Sequence, residues 1–265
     1  MDERAALAHR NLMSYCSLAA RHTPGGEVSE GDGELLFASP HRFPFANGVM
    51  RDHERDDADR LIARAREFFD ARRPDGPEPG GFSLFARGTP EDSNLERAAE
   101  AAGMSLVLDH YPQMVCERRL DEAPLPPGAE VREVRDRSDA AAFWSVCGEA
   151  YTSLGFPADL FSIYRPEFLI EPPVVACLGL LEGEPVATAM LAVLDRVGFI
   201  GWVGALERAR RKGLGAACTV WVTNRAFEEG ARFASLQASP MGESIYARLG
   251  YEELFTYHLW GAGPF

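Results

Sequence analysis

Apolar and polar positions alternate along this chain with two different periods, and the changes of period mark its elements. Residues 3–20 carry helical spacing. In 58–71, Leu61, Ile62, Ala65, Phe68 and Phe69 fall on one face of a 3.6-residue helix. Short apolar runs bounded by turn residues predict strands at 34–38, 48–51 and 82–86. A Pro/Gly-rich turn at 74–81 precedes the last of these. A helix at 92–102 and one interrupted strand or two at 105–117 complete the first half.

The segment Asp121-Glu122-Ala123-Pro124-Leu125-Pro126-Pro127-Gly128 breaks the pattern. Its prolines prevent helix and strand and keep the chain extended. We expect two domains, 1–122 and 129–265. The second half reads as a strand at 131–134, then a helix at 138–152 with Ser138 as N-cap. An irregular, aromatic-rich stretch at 154–173 has room for one helical turn. Strands follow at 174–181, 186–194 and 197–206, joined by a hairpin turn at Glu182-Gly183-Glu184-Pro185 and a turn at Asp195-Arg196. A helix then runs from about 214 to Gly230, its expected stop signal. A strand at 233–237, a short helix at 243–249 with Gly250 as C′ residue, and a final strand pair from Tyr251 end the chain.

The junction between the third of those strands and its helix carries the chemistry. It reads Arg210-Arg211-Lys212-Gly213-Leu214-Gly215, and Lys212 is the only lysine in the chain. Glycines there allow positive φ and close approach of a ligand. The first free N–H groups of the helix, with the dipole behind them, suit an anion. Neither a Gly-x-x-x-x-Gly-Lys-[Ser/Thr] loop nor a Gly-x-Gly-x-x-Gly fingerprint is present, so the two common nucleotide loops are excluded. Taken alone, Gly-x-Gly also closes ordinary turns.

Further residues raise its meaning. Leu214, Ala217, Cys218, Trp221, Val222 and Arg225 recur at helical spacing after the turn. The Arg210-x-x-Gly213-x-Gly215 turn is followed by Leu236-Gln237-Ala238-Ser239, running on to Tyr246-Ala247-Arg248-Leu249-Gly250-Tyr251. In this order and spacing, these pieces resemble the GCN5-related N-acetyltransferase (GNAT) superfamily. The resemblance covers 131–260, about half the chain. It implies an α/β fold with a mixed, mostly antiparallel, twisted sheet flanked by helices. The first half has an element order similar to the later part of such a domain. That order implies a tandem arrangement with a degenerate N-terminal GNAT-like half or accessory domain. The corresponding turn of the first half, Met50-Arg51-Asp52-His53-Glu54-Arg55-Asp56-Asp57, has no glycine and several carboxylates. We expect it not to bind the cofactor. Its expected roles are to cover a sheet edge and to wall the acceptor pocket.

Composition narrows the class. The chain has 265 residues, 46% of them hydrophobic, and a net charge of -13. The acidity argues against nucleic acid, which needs clustered basic residues. It suits a cationic acceptor, although solubility alone explains most of it. No run reaches the roughly 18 apolar residues of a membrane helix, and the charged start lacks an apolar signal core. Cys16, Cys116, Cys147, Cys177 and Cys218 are scattered and read as reduced core thiols of a cytoplasmic protein. Six scattered histidines show no ligand spacing, His53 reads as a solvated residue, and no metal is expected.

The resemblance implies acetyl transfer from acetyl-CoA to a primary amine by direct attack in a ternary complex. Arg211, Lys212, Gly213, Leu214, Gly215 and Ala216 then offer N–H donors and charge to the pyrophosphate. Arg210 either packs structurally or approaches a phosphate. In this superfamily the strand before the turn splays from its neighbour, and Val203, Gly204 and Ala205 would offer that edge to the pantetheine arm. A main-chain N–H, expected at Ala205, would stabilise the oxyanion. Tyr246 matches the family's general acid, whereas without the family pattern it reads as a core aromatic. Many members carry a glutamate base on the strand before the turn, but Phe199 stands near that place. Glu149 is the candidate base, with Glu167, Glu171 and Glu207 behind it, each also readable as a solvated carboxylate. Alternatively the amine arrives partly deprotonated and needs none. The acceptor pocket is expected within 151–168, where Phe156, Phe161, Tyr164 and Phe168 either clasp the acceptor or fill core. The expected partner is a small-molecule amine, with no nucleic acid or membrane, in a monomer or homodimer. Two other functions fit the same residues: acetylation of a peptide or protein N-terminus, and a non-catalytic acyl-CoA sensor.

Overall fold

The computed structural model describes residues 2–55, 57–72, 81–157 and 159–263. In chain order the elements begin α1 (Glu3–His22), β1 (Glu27–Gly31), β2 (Glu34–Ala38), β3 (Gly48–Arg51), α2 (Ala58–Asp70), β4 (Phe82–Arg87), α3 (Ser93–Ala101) and β5 (Ser105–Cys116). They continue β6 (Ala129–Glu133), α4 (Arg137–Thr152), β7 (Val174–Leu181), β8 (Glu184–Leu194), β9 (Val197–Ala205), α5 (Leu214–Glu228), β10 (Phe233–Gln237), α6 (Glu243–Leu249) and β11 (Glu252–Ala262). Two compact units divide the chain, Met1–Gln113 with Glu253–Phe265, and Met114–Glu252. This division differs from one at the proline-rich segment, for two physical reasons. β11 pairs antiparallel with β4, from Tyr257↔Arg87 to Ala262↔Phe82, so the last strand belongs to the first unit. The chain entering the proline-rich segment is tied to α5, because Leu120 N–H donates to Asn224 Oδ1 at 2.8 Å and Asn224 Nδ2 donates to Leu120 O at 2.9 Å.

In the first unit the strand order is β1-β2-β3-β4-β11-β5. β3 and β4 are parallel, while β1/β2, β2/β3 and β4/β11 are antiparallel. The apolar face predicted for 58–71 is real: Leu61, Ile62, Ala65 and Phe69 pack into a core with Leu36, Val49, Phe82, Leu84 and Leu95. Burying such side chains contributes about 1.5–3 kcal/mol each. β1 escaped the sequence pattern because Glu-Val-Ser-Glu-Gly is a polar edge strand, defined by pairing with β2 rather than by burial. The Pro/Gly-rich turn at 74–81 lies outside the described residues apart from Gly81.

The turn before α2 behaves as a closed polar network. Arg51 is fully buried, with Nη2 at 3.3 Å from Asp92 Oδ1, and Arg87 Nε donates to Asp92 Oδ2 at 2.6 Å. His53 is half-buried, and both its ring nitrogens are shut from water without a hydrogen-bond partner. Glu34, His53 and Asp57 bring potential ligand atoms within 4.8 Å of one another. However, Arg60 pairs with both carboxylates and Arg64 pairs with Glu34, so their charge is already neutralised.

In the second unit the order is β10-β9-β8-β7-β6. β9 and β10 are parallel, connected through α5, and the other neighbours are antiparallel. Glu182 and Gly183 both take positive φ, 51° and 80°, which is the two-residue hairpin turn. Glu184 and Pro185 already belong to β8. Asp195 and Arg196, at φ 51° and 62°, make the next one. The N-cap of α4 is Asp136 rather than Ser138, because its side chain accepts from the N–H groups of both Ser138 and Asp139. The irregular stretch holds two short 3-10 turns, Leu160–Ile163 and Pro166–Leu169. The run at 105–117 is one strand, and the expected final strand pair is the single strand β11. Cys116, Cys147, Cys177 and Cys218 are buried free thiols, and Cys16 is half-buried. Among the described residues, no helix is long and apolar enough to cross a membrane.

Candidate active site

The cationic turn is built as its glycines require. Gly213 has φ 84°, and Arg211 also takes left-handed backbone at φ 62°. α5 begins at Leu214 with no side chain capping its N-terminus and no acidic residue in its first turn. Its first intrahelical bond is Ala217 N–H to Gly213 O at 2.9 Å, so the N–H groups of Leu214, Gly215 and Ala216 precede the ladder. Arg211 and Lys212 are exposed, and among the described residues neither side chain has an ion-pair or hydrogen-bond partner. A Cβ placed on Gly215 would meet only Ala205 Cβ, at 3.9 Å, so the protein's own packing does not demand glycine there. An uncapped helix start, free cations and open space above a glycine fit a phosphorylated ligand.

Arg210 has a different task. Its Nε donates to Ala205 O at 3.3 Å and its Nη2 to Ser153 Oγ at 2.5 Å. It ties the end of β9 to the end of α4.

β9 leaves its parallel neighbour early. Pairing with β10 covers Val197, Gly198 and Phe199, yet β9 continues to Ala205. Gly201 to Ala205 are half-buried, where the preceding four residues are buried. The register with β8 also breaks. Met190 faces Gly201 and Thr188 faces Gly204, so Trp202 and Val203 together oppose Ala189. This is a β-bulge. Trp202 sits at φ 49°, a conformation that costs a non-glycine residue about 1–2 kcal/mol. The bulge was missed by sequence reasoning, although its signal was present as two glycines, Gly201 and Gly204, inside a strand.

Side chains of α4 and β8 hold this part of β9. Thr188 Oγ1 donates to Trp202 O at 2.8 Å, Cys147 Sγ lies 3.8 Å from the same oxygen, and Tyr151 OH donates to Val203 O at 3.1 Å. Cys147 is sealed among them, and burial pushes its thiol up to about 12. A Cβ on Gly204 would stand 3.2–3.3 Å from Ala150, Thr188 and Tyr151, so glycine permits this contact.

The aromatic residues predicted for the acceptor side do assemble, around a residue that was not predicted. Trp202 lies 5.1 Å from Phe161, 5.5 Å from Tyr151 and 5.9 Å from Tyr164, between ring centroids. Trp144 stacks on Tyr164 at 4.7 Å, and its buried indole Nε1 has no hydrogen-bond partner. Phe156 packs on Tyr151, and Phe168 stacks on Tyr164.

Tyr246 lies on α6 in the apolar cluster that includes Leu214, Leu236 and Ala238, against which Val203 and Ala205 pack. Burial raises its phenol well above the usual tyrosine range, so the group keeps its proton. Among the described residues its hydroxyl has no hydrogen-bond partner, and it is not sealed from solvent. Gly242 lies directly under the ring, since a Cβ there would approach Tyr246 Cε2 to 2.7 Å. Glu149 stands apart from this cluster: its carboxylate is exposed and lies 3.3 Å from Arg208 Nη1. Glu207 and Glu171 are exposed, Glu167 pairs with Arg137, and Phe199 is buried.

Residues 140–251 match the acetyltransferase (GNAT) family. They form a GNAT domain. The match begins within α4 and takes in the bulged β9, the cationic turn and Tyr246. A solved GCN5-related N-acetyltransferase from Kribbella flavida is 25% identical over 96% of this chain and 95% of its own, with a TM-score of 0.72. One from Sphaerobacter thermophilus is 18% identical over 89% of this chain and 82% of its own, with a TM-score of 0.64. A tandem GNAT protein from the clavulanic acid biosynthesis pathway is 13% identical over 97% of this chain and 96% of its own, with a TM-score of 0.62. The last two bear on fold alone, and they extend the GNAT likeness over nearly the whole chain. No curated protein matches the sequence. The mixed, mostly antiparallel sheet with flanking helices is thus a GNAT fold, and acyl transfer is the general chemistry of its GNAT domain.

Proposed function

We propose that the protein is an N-acetyltransferase that moves the acetyl group of acetyl-CoA to the primary amine of a small molecule, by direct attack in a ternary complex. The observation that carries this reading is the course of β9. It separates from β10 after Phe199 and ends at Ala205; a 3-10 turn at Glu207–Ala209 then leads to an uncapped helix start preceded by two unpaired cations. That arrangement offers an edge for amide groups and, a few residues later, N–H donors for a diphosphate.

In this reading Val203, Gly204 and Ala205 face the pantetheine arm, and Arg211 to Ala216 receive the pyrophosphate. Arg210 acts structurally, by holding Ala205 O. The amine attacks the thioester carbonyl, and charge develops on its oxygen, which a β9 main-chain N–H stabilises. The C–S bond then breaks and the phenol of Tyr246 supplies a proton to the departing thiolate. The phenol sits in an apolar cluster, keeps its proton, and makes no hydrogen bond among the described residues that would hold its hydroxyl away from the sulfur. The amine loses its proton to water or enters neutral. Glu149, exposed and paired with a guanidinium, is a poor candidate for that base. The aromatic wall around Trp202 supports an acceptor with an apolar or cationic body. The first unit is, in this reading, a degenerate GNAT-like half. β3, α2 and β4 repeat the parallel strand-helix-strand succession of β9, α5 and β10. The turn ahead of α2 holds buried arginine–aspartate pairs in place of a glycine bend.

Calorimetry with coenzyme A, followed by thiol release from acetyl-CoA with a panel of small amines and short peptides, tests the reading. Turnover with small amines and not with peptides is the expected result. Turnover only on peptides would move the function to N-terminal acetylation. Tight binding with no turnover on any amine would leave a sensor.

A further inference from the structure

We propose that Thr188, Cys147 and Tyr151 are positioning residues that clamp the carbonyls of Trp202 and Val203 and so keep the β9 edge open for coenzyme A. The inference rests on the proposed transferase reading. In a regular antiparallel ladder, successive main-chain carbonyls of a strand serve its neighbours. Here the register with β8 passes over Trp202 and Val203, and side chains donate hydrogen bonds to those two carbonyls. Left-handed backbone at a tryptophan persists only where the surroundings over-determine it. Thr188 provides the strongest restraint. It is fully buried, its hydroxyl donates at 2.8 Å, and Cys147 Sγ stands 3.4 Å behind that hydroxyl. Tyr151 fixes the following carbonyl, and its ring also packs on Trp202. With the clamp released, the two peptide units are free to rejoin the ladder. β9 would then straighten, and Gly204 and Ala205 would leave their present register.

The test measures coenzyme A binding by calorimetry, with kcat, KM for acetyl-CoA and the melting temperature alongside, on the full chain. Thr188→Val keeps the shape and loses the hydroxyl; Thr188→Ser keeps the hydroxyl. The expected result is an affinity about tenfold weaker and a matching rise in KM for Thr188→Val, with Thr188→Ser within about twofold of wild type. Tyr151→Phe, which keeps the ring and loses the bond to Val203 O, should weaken binding about threefold and provides the reading if Thr188→Val does not fold. Wild-type affinity in Thr188→Val, or equal loss in Thr188→Ser, would overturn the clamp while leaving the transferase reading intact. Absence of coenzyme A binding by the wild type would overturn both.

Discussion

A carboxylate at position 215 should strengthen the free protein and cripple it for coenzyme A. Gly215 is the second residue of α5, whose first turn holds no acid, and its Cβ direction is open to 3.9 Å. In Gly215→Asp the new charge meets the positive end of the helix, worth about 0.3–1 kcal/mol. Replacing glycine in a helix adds a few tenths at most, since aspartate is itself a modest helix former. For a chain of this size the melting temperature should rise by about 1–4 °C. In the proposed reading the same charge faces the diphosphate. At about 5 Å and an effective dielectric of about 20, each like-charge pair costs about 3 kcal/mol. Solvent screening at this half-exposed position cuts the net to about 1.5–3 kcal/mol, or a roughly 10- to 150-fold loss of affinity. Thermal denaturation without ligand and calorimetry with coenzyme A read the two effects. Gly215→Asn separates charge from bulk, and should keep most of the affinity. An unchanged coenzyme A affinity in Gly215→Asp would refute the placement of the diphosphate at this helix start.

Three further outcomes follow from the same geometry. Tyr246→Phe should lower kcat by about 10²-fold or more with little change in melting temperature, because the hydroxyl has no partner to lose; unchanged turnover would remove Tyr246 as the acid. Gly213→Ala, at φ 84° and with its Cβ 3.3 Å from Pro124 O, should cost about 1–2 kcal/mol of stability, seen as a lower urea midpoint. In the first unit, burial and the Arg87 charge hold His9 at about 4, below its ordinary 6.5. Its Nε2 bonds Arg51 O and its Nδ1 bonds Tyr257 OH, both at 2.8 Å, an arrangement made for the neutral ring. The unfolded chain therefore binds the proton first, so stability is full above pH 6.5 and falls as the pH drops toward 4. Between pH 7 and 5 the loss is about 2 kcal/mol. Urea unfolding at the two pH values should show it in wild type and not in His9→Gln, and equal slopes in both would sink the assignment.

By itself the sequence determined the local elements and the glycine bend before α5. Strands at 34–38, 48–51, 174–181 and 233–237 and the helix at 243–249 stand where the pattern put them. Period and turn chemistry are properties of neighbouring residues, and Gly213 and Gly250 announce left-handed backbone within a few positions. The tertiary structure alone decided the rest. It gave β11 to the first unit through its pairing with β4, and it revealed β1 as an edge strand with no core face to betray it. Inside the GNAT domain it placed the bulge at Trp202, whose carbonyl partners stand 14 and 55 residues away in the chain. It also showed that Glu149 is held at the surface by Arg208. Which carbonyl leaves a ladder, and which carboxylate is buried, depend on long-range contacts. Those contacts form only once the sheet and α4 have packed, so no local pattern encodes them.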